Sequence, residues 1–287
     1  MGLPIDNYVK NQLDDLLEQI ETPFNANGIS IISPIFSGLD QQVRTVIESN
    51  HKDKKDSLVI IHDTLGGYVE VVERIVECIR NFYKEVIFII PNVAMSAGTI
   101  FTLSGDRILM DYFSRLGPID PQIERNGTFV PASSYLDEYD RLNKKSLEEK
   151  LTPLEYVLIG KFDLGELYEF QQAKKLSEEL LVKWLTNYKF KDWEKTETKN
   201  TQVTNEFKEE RAREITNKLN DTKRWHSHGR GIDKHTLINE IGLKIEDYNE
   251  IDKGLAENVH KYFDLLMDYM MEKKMGYFIH SRWYFPI

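Results

Sequence analysis

One serine in this sequence stands where an attacking group would be placed. Ser96 lies in "PNVAMSAGTI", residues 91–100, directly after the apolar run "VIFII" and among small residues. A strand that turns into a helix here leaves unpaired backbone N–H groups at the helix start. Small neighbours leave room for another chain to approach. A second stretch, "HDTLGGYVE", residues 62–70, has the same form: it comes after "SLVII" and opens an amphipathic segment. Gly66 and Gly67 let the backbone come close to a bound chain and aim N–H groups at it. Attack on a carbonyl carbon develops an oxyanion, and preorganised N–H donors are worth on the order of 2.7–4 kcal/mol each at such a point. Taken singly, each stretch is also the form of an ordinary tight strand-to-helix connection.

The surrounding pattern supplies the elements that would hold these stretches. "ISIISPIF", "SLVII", "VIFII" and "RILM" are short β-branched runs separated by turns or helical segments, as in a sheet covered on both faces. "YVEVVERIVECIRNFYK" lies between the second and third runs, with Val69, Val72, Ile75, Val76, Ile79 and Tyr83 on one helical face. That βαβ alternation predicts an α/β core, in which ligand sites gather at the carboxyl ends of the strands. The first segment, "DNYVKNQLDDLLEQIETPF", is helical by its spacing of Val9, Leu13, Leu16, Leu17 and Ile20. Beyond about residue 130 the strand signals fade into helices broken near Pro153 and near Gly160 to Gly165. Residues 188–224 read as a solvated loop and an exposed helix. The division expected is an N-terminal helix over 1–27, an α/β core over 28–160 and a helical region over 161–287.

Composition narrows the function classes. The 287 residues carry 47 acidic against 37 basic side chains, a net charge of −10 that disfavours sequence-independent nucleic-acid binding. The single cysteine, Cys78, rules out a disulfide framework and reads as packing beside a helical stripe. No apolar stretch approaches ~18 residues, so no membrane span is expected, and a soluble cytoplasmic protein is the default reading. "WHSHGRGIDKH", residues 225–235, offers three histidines and Asp233 without a metal-ligand spacing, and reads as an anchor of the helical part to the core.

The order of these pieces carries a resemblance. A strand ending in Gly-Gly, an amphipathic helix, a strand and then Met-Ser-Ala-Gly-Thr resembles the Clp/crotonase architecture in its protease branch. The next piece, "FTLSGDRILMDYFSRLGPIDPQI", is similar to the segment after the nucleophile in signal peptide peptidase A and its relatives. "GPIDPQ" with the later "SHGRGI" resembles most the serine dehydrogenase proteinase family. The resemblance spans about residues 28–245 and is specific between 57 and 123. It implies a Clp/crotonase-like α/β fold with a helical C-terminal region and a serine peptidase acting on peptides or proteins. Ser96 would be the nucleophile, and the Gly67 and Ala97 N–H groups the oxyanion hole. No metal or other cofactor is implied, and a homo-oligomer is.

The base is less well marked. The Clp proteolytic subunit has a histidine soon after its serine, but no histidine lies between Ser96 and Trp225 here. Signal peptide peptidase A uses a Ser-Lys dyad, which implies a lysine kept neutral by burial. From a pKa of about 10.4, neutralisation at pH 7 costs roughly 4.6 kcal/mol in water. Lys161, in "EYVLIGKFDLGEL", has apolar neighbours and precedes a helix, and is the chosen base. Lys144, Lys145 and His62 are the alternatives. A catalytically silent scaffold and a crotonase-like acyl-CoA enzyme are the rival functions. The tail stripe of Tyr262, Phe263, Leu265, Leu266, Tyr269 and Met270 is the expected oligomer surface.

Overall fold

The four β-branched runs form the parallel centre of one sheet. The computed structural model describes residues 3–50, 54–125, 128–196, 200–252 and 254–286. In chain order the elements begin with α1 (Pro4–Glu21), β1 (Asn27–Ile32), α2 (Leu39–Ser49), β2 (Ser57–Asp63), α3 (Val69–Phe82) and β3 (Glu85–Ile90). They continue with β4 (Val93–Ala94), α4 (Ala97–Thr102), β5 (Arg107–Met110), β6 (Arg115–Leu116), β7 (Gln122–Arg125) and β8 (Thr128–Pro131). Next come α5 (Ala132–Leu147), α6 (Pro153–Ile159), α7 (Leu164–Trp184), α8 (Asn205–Asn220), α9 (Thr222–Trp225) and β9 (Ile232–Asp233). The last are α10 (Lys234–Thr236), β10 (Glu246–Asp247), α11 (Tyr248–Ile251), α12 (Leu255–Glu272) and β11 (Phe278–His280).

The main sheet has the order β10-β5-β3-β2-β1-β11, parallel except for β11, which runs antiparallel to β1. Successive side chains of a strand point to opposite faces, and both faces are apolar here. Ile29, Ile31, Leu58, Ile60, Phe88 and Ile108 face a layer that includes α2, α3, α7 and α8. Ile32, Val59, Ile61, Ile87, Ile89 and Leu109 face α1 and α12. This is the α/β, Clp-like architecture with helices gathered after residue 131. Its last segments return to the sheet: β10 extends one edge and β11 the other.

Two expectations are corrected. The α12 stripe is core and not an oligomer surface: Tyr262, Leu266, Tyr269 and Met270 are buried against Leu13, Leu17 and Ile20 of α1. A sheet with two apolar faces needs a second helical layer, and α12 supplies it. The helix inside 188–224 is likewise only partly exposed, since α8 buries Ala212, Ile215 and Leu219 in the main core.

Candidate active site

β3 ends at Ile90, and the chain runs through the short strand β4 into α4, with Ser96 as the residue before the helix. Ser96 has φ 54° and ψ −120°, a conformation that costs a non-glycine residue of order 1–3 kcal/mol. The cost is borne because the surroundings fix the turn. Thr64 bridges to Ala94, with Thr64 N–H donating to the Val93 carbonyl (2.9 Å) and Met95 N–H to the Thr64 carbonyl (3.0 Å). Asp63 Oδ1 accepts from Val93 N–H at 2.9 Å, and burial pushes the Asp63 carboxyl above its usual range. Below the turn, the Thr99 hydroxyl accepts from Gly117 N–H (2.9 Å) and lies 2.7 Å from the Ala94 carbonyl. Thr99 thus ties the first turn of α4 to the chain leaving β6, a positioning role that no local motif announced.

The Gly-Gly loop lies directly over this turn. A Cβ on Gly66 would sit 2.8 Å from the Met95 carbonyl oxygen, 2.9 Å from Ser96 Cβ and 3.4 Å from Ala97 N. One on Gly67 would sit 1.9 Å from the Ile35 carbonyl oxygen. Both glycines have positive φ, +103° and +150°. The loop pairs with Ile35 through the Gly66 carbonyl and the Tyr68 N–H, each at 2.9 Å. Because groups alternate along an extended chain, the Gly67 N–H points away from Ile35. Among the described hydrogen bonds neither the Gly67 nor the Ala97 N–H donates to a protein acceptor. Ser96 is half-buried and Gly67 exposed, so the corner is open to a substrate.

The candidate bases are dispersed. His62 is fully buried, with Nδ1 3.0 Å from the Ile31 carbonyl and edge-on contacts to Phe88 and Phe101. Among the described residues its Nε2 has no hydrogen-bond partner, and it lies beneath α4, 3.5 Å from where a Gly98 Cβ would be. Burial pushes the His62 imidazole down to about 4, so it is neutral at pH 7. Lys144 is exposed on α5, and Lys145 is held by Glu155 at 2.7 Å. Lys161 is exposed in the turn between α6 and α7. The chain by itself leaves Lys161 in water.

A histidine expected only to anchor the helical part meets a carboxylate at the end of the small sheet where Ser96 also lies. β4 pairs parallel with β6, Ala94 opposite Leu116, and β6 pairs antiparallel with β9, Leu116 opposite Ile232. In this three-stranded sheet Ser96 comes after β4, Asp120 after β6 and His228 before β9, all at the same end. His228 Nδ1 lies 2.9 Å from Asp120 Oδ1. A carboxylate can only accept there, so Nδ1 carries the hydrogen and Nε2 is left with a free lone pair. Asp120 is only 2% exposed and His228 20%. Gly117 touches the nucleophile turn, a Cβ there falling 3.0 Å from Met95 Cα, and Asp120 comes three residues later. Three residues span at most ~10 Å. The pair borders a cavity of about 490 Å³, also lined by Asp137, Glu138, Arg141 and Trp225. Among the described residues no cluster of three or more His, Cys, Asp or Glu side chains could hold a metal ion, and no helix is long and apolar enough to cross a membrane.

Residues 24–161 match the family of ClpP-like SDH-type serine proteinases, the family that the motifs around Gly67, Ser96 and Asp120 resemble. The chain is 28% identical over 221 residues to the uncharacterized protein MJ1495 of Methanocaldococcus jannaschii, a match covering 77% of this chain and 60% of that protein. It is 34% identical over 96 residues to MJ0137 of the same organism, 33% of each chain. It therefore spans well under the whole length of both relatives. Two mutant structures of the 1510-N membrane-bound stomatin-specific protease, one in complex with a substrate peptide, align at 22% and 23% identity with TM-scores of 0.32. Each covers 49% of this chain, and the aligned shares of the two solved chains are 81% and 76%.

Proposed function

Proceeding from a core that matches the ClpP-like SDH-type serine proteinases, we propose that the chain hydrolyses peptide bonds with Ser96 as nucleophile. The Gly67 and Ala97 N–H groups form the oxyanion hole, and His228, oriented by Asp120, takes the serine's proton. The observation that carries this reading is the strained Ser96 turn beside two N–H groups that, among the described hydrogen bonds, donate to no protein acceptor.

The steps are set by the groups present. Ser96 Oγ attacks the peptide carbonyl carbon while its proton passes to His228 Nε2. The carbonyl π pair moves onto oxygen, where the two N–H groups meet it. Collapse breaks the C–N bond, and the imidazolium gives its proton to the departing amine. Water then attacks the acyl-serine by the same route, restoring Ser96 and releasing the acid. Asp120 holds the ring through Nδ1 and faces the imidazolium as it forms. No step calls for a metal or a nucleotide.

The competing proposal for the base is Lys161 in a Ser-Lys dyad. It requires a neutral amine, and hence a burial of Lys161 that another chain or a closure must supply. Reaction with a fluorophosphonate tests the part common to both. One adduct per active chain is expected within "NVAMSAGTIF", lost in Ser96→Ala with the circular dichroism unchanged. Labelling of another serine, or peptidase activity surviving in that variant, removes Ser96 from the role. A folded wild type that neither labels nor cleaves favours the silent scaffold.

A further inference from the structure

The cavity beside Asp120 and His228 has more carboxylates on its wall than its cations can serve. Asp120, Asp137 and Glu138 line it, against Arg141 and Lys223. Both cations are engaged. Arg141 grips Glu138 through Nε at 2.8 Å and a terminal nitrogen at 2.6 Å, and reaches Glu155 at 3.1 Å. Lys223 lies 3.2 Å from Asp137. Asp120 Oδ1 is met by His228, but among the described residues Oδ2 has no hydrogen-bond partner. Asp120 is also the deepest of the three, 2% exposed where Asp137 is 48% and Glu138 47%. A buried acceptor of this kind without a donor is destabilising, so the place favours a ligand that donates.

Another part of the wall is apolar and fixed. Trp225 is 5% exposed, and its indole N–H donates to the Lys218 carbonyl at 2.9 Å. The ring therefore has only carbon left to offer the cavity. A long side chain with an apolar stem and a cationic head suits both surfaces.

We propose that this cavity binds the lysine or arginine side chain of a peptide substrate. The head donates to Asp120 Oδ2 and the stem lies against Trp225. Oδ1 stays with His228, so the two donors use different oxygens and do not compete. An acidic side chain finds no free cation here, since Arg141 and Lys223 are each held by a carboxylate. A neutral apolar one leaves Oδ2 unserved. The cavity thus selects by charge. As a substrate subsite it rests on the peptidase reading, but as a site for a cation it does not.

Isothermal titration of the full chain carrying Ser96→Ala tests the site without turnover. N-acetyl-arginine amide is expected to bind at least tenfold more tightly than N-acetyl-norleucine amide. Asp120→Asn is expected to remove that preference with the circular dichroism unchanged. Asp137→Asn, at an exposed position, should cut it severalfold by freeing Lys223 to compete, and serves should the Asp120 variant unfold. An arginine amide bound no more tightly than the norleucine amide overturns the proposal, as does a preference that survives intact in both folded variants. Tighter binding of N-acetyl-glutamate amide overturns it equally. The peptidase reading fails separately. A wild type that cleaves peptides with no gain from lysine or arginine near the scissile bond overturns the subsite and leaves the peptidase. A wild type that cleaves nothing, beside a Ser96→Ala protein that prefers the arginine amide, removes the peptidase and keeps the cation site.

Discussion

The corner that presents Ser96 is assembled from two short stretches, 62–67 and 92–99, whereas the corner that presents His228 joins side chains 108 residues apart. The first is defined by backbone: two glycines at positive φ, a strained serine and two N–H groups. The second is one hydrogen bond between a buried carboxylate and an imidazole. Backbone-defined chemistry needs particular residue types at fixed local spacing, and so it writes a motif. A side-chain pair needs only that the fold return the chain to the right place.

The two corners can be broken separately. Ser96→Ala should lower kcat on the order of a millionfold, as loss of a serine nucleophile does elsewhere. Asp120→Asn should cost on the order of 10⁴-fold in kcat with KM held, because an amide can impose the wrong imidazole tautomer. His228→Ala should fall at least as far. Steady-state kinetics on a folded Asp120→Asn protein decide the second corner: a kcat within about tenfold of wild type would separate His228 from the chemistry and leave the Ser96 corner standing.

Gly67→Ala probes the first corner through its backbone. The new Cβ would meet the Ile35 carbonyl oxygen at 1.9 Å with φ at +150°, so the loop must move. Displacing one oxyanion donor should lower kcat by about 10²–10³-fold. Fluorophosphonate labelling should slow in parallel, since the phosphonyl oxygen occupies the same place. An unchanged labelling rate would take the Gly67 N–H out of the oxyanion hole.

The same contrast explains which features the sequence reveals. β-branched runs and the Val72–Ile79 stripe show the sheet and α3, because each pattern is completed within one element. The stripe of Tyr262, Leu266 and Tyr269 is equally visible, but its partner is α1, more than 230 residues away, and periodicity does not say whether a stripe meets its own core or another molecule. "GPIDPQ" and "SHGRGI" stand out as motifs, yet nothing in either says that Asp120 meets His228. That meeting depends on the excursion through α5 to α9 and the return along β6. Lys161 draws attention for apolar neighbours in sequence, and those neighbours on α6 point outward.

A smaller effect comes from below the Ser96 corner. His62 is neutral in the fold, its imidazole held down to about 4 by burial, while the unfolded chain titrates near 6.5. Because the folded value is the lower one, the unfolded state binds the extra proton. The stabilisation is complete above pH 6.5 and is lost as pH falls through about 4, by about 3 kcal/mol. Denaturant melts of wild type and His62→Gln between pH 7 and about 4 measure it. The glutamine variant should show the shallower decline, and parallel curves would mean that the imidazole does not carry the acid sensitivity.

The smallest expected effect is that of Lys161→Ala, and its smallness is the point. Truncating an exposed lysine typically changes stability by less than about 0.5 kcal/mol, and with His228 as base the turnover should stay within about twofold. Each assay is paired with a circular dichroism spectrum to show that the fold holds. If activity and labelling instead vanish while the fold holds, the proton goes to the lysine. Lys161→Arg would then be equally dead, since a guanidinium stays protonated and cannot accept it. In that case the base too would come from a short local stretch, and the contrast between the two corners would narrow to the support that Asp120 and His228 lend the cavity wall.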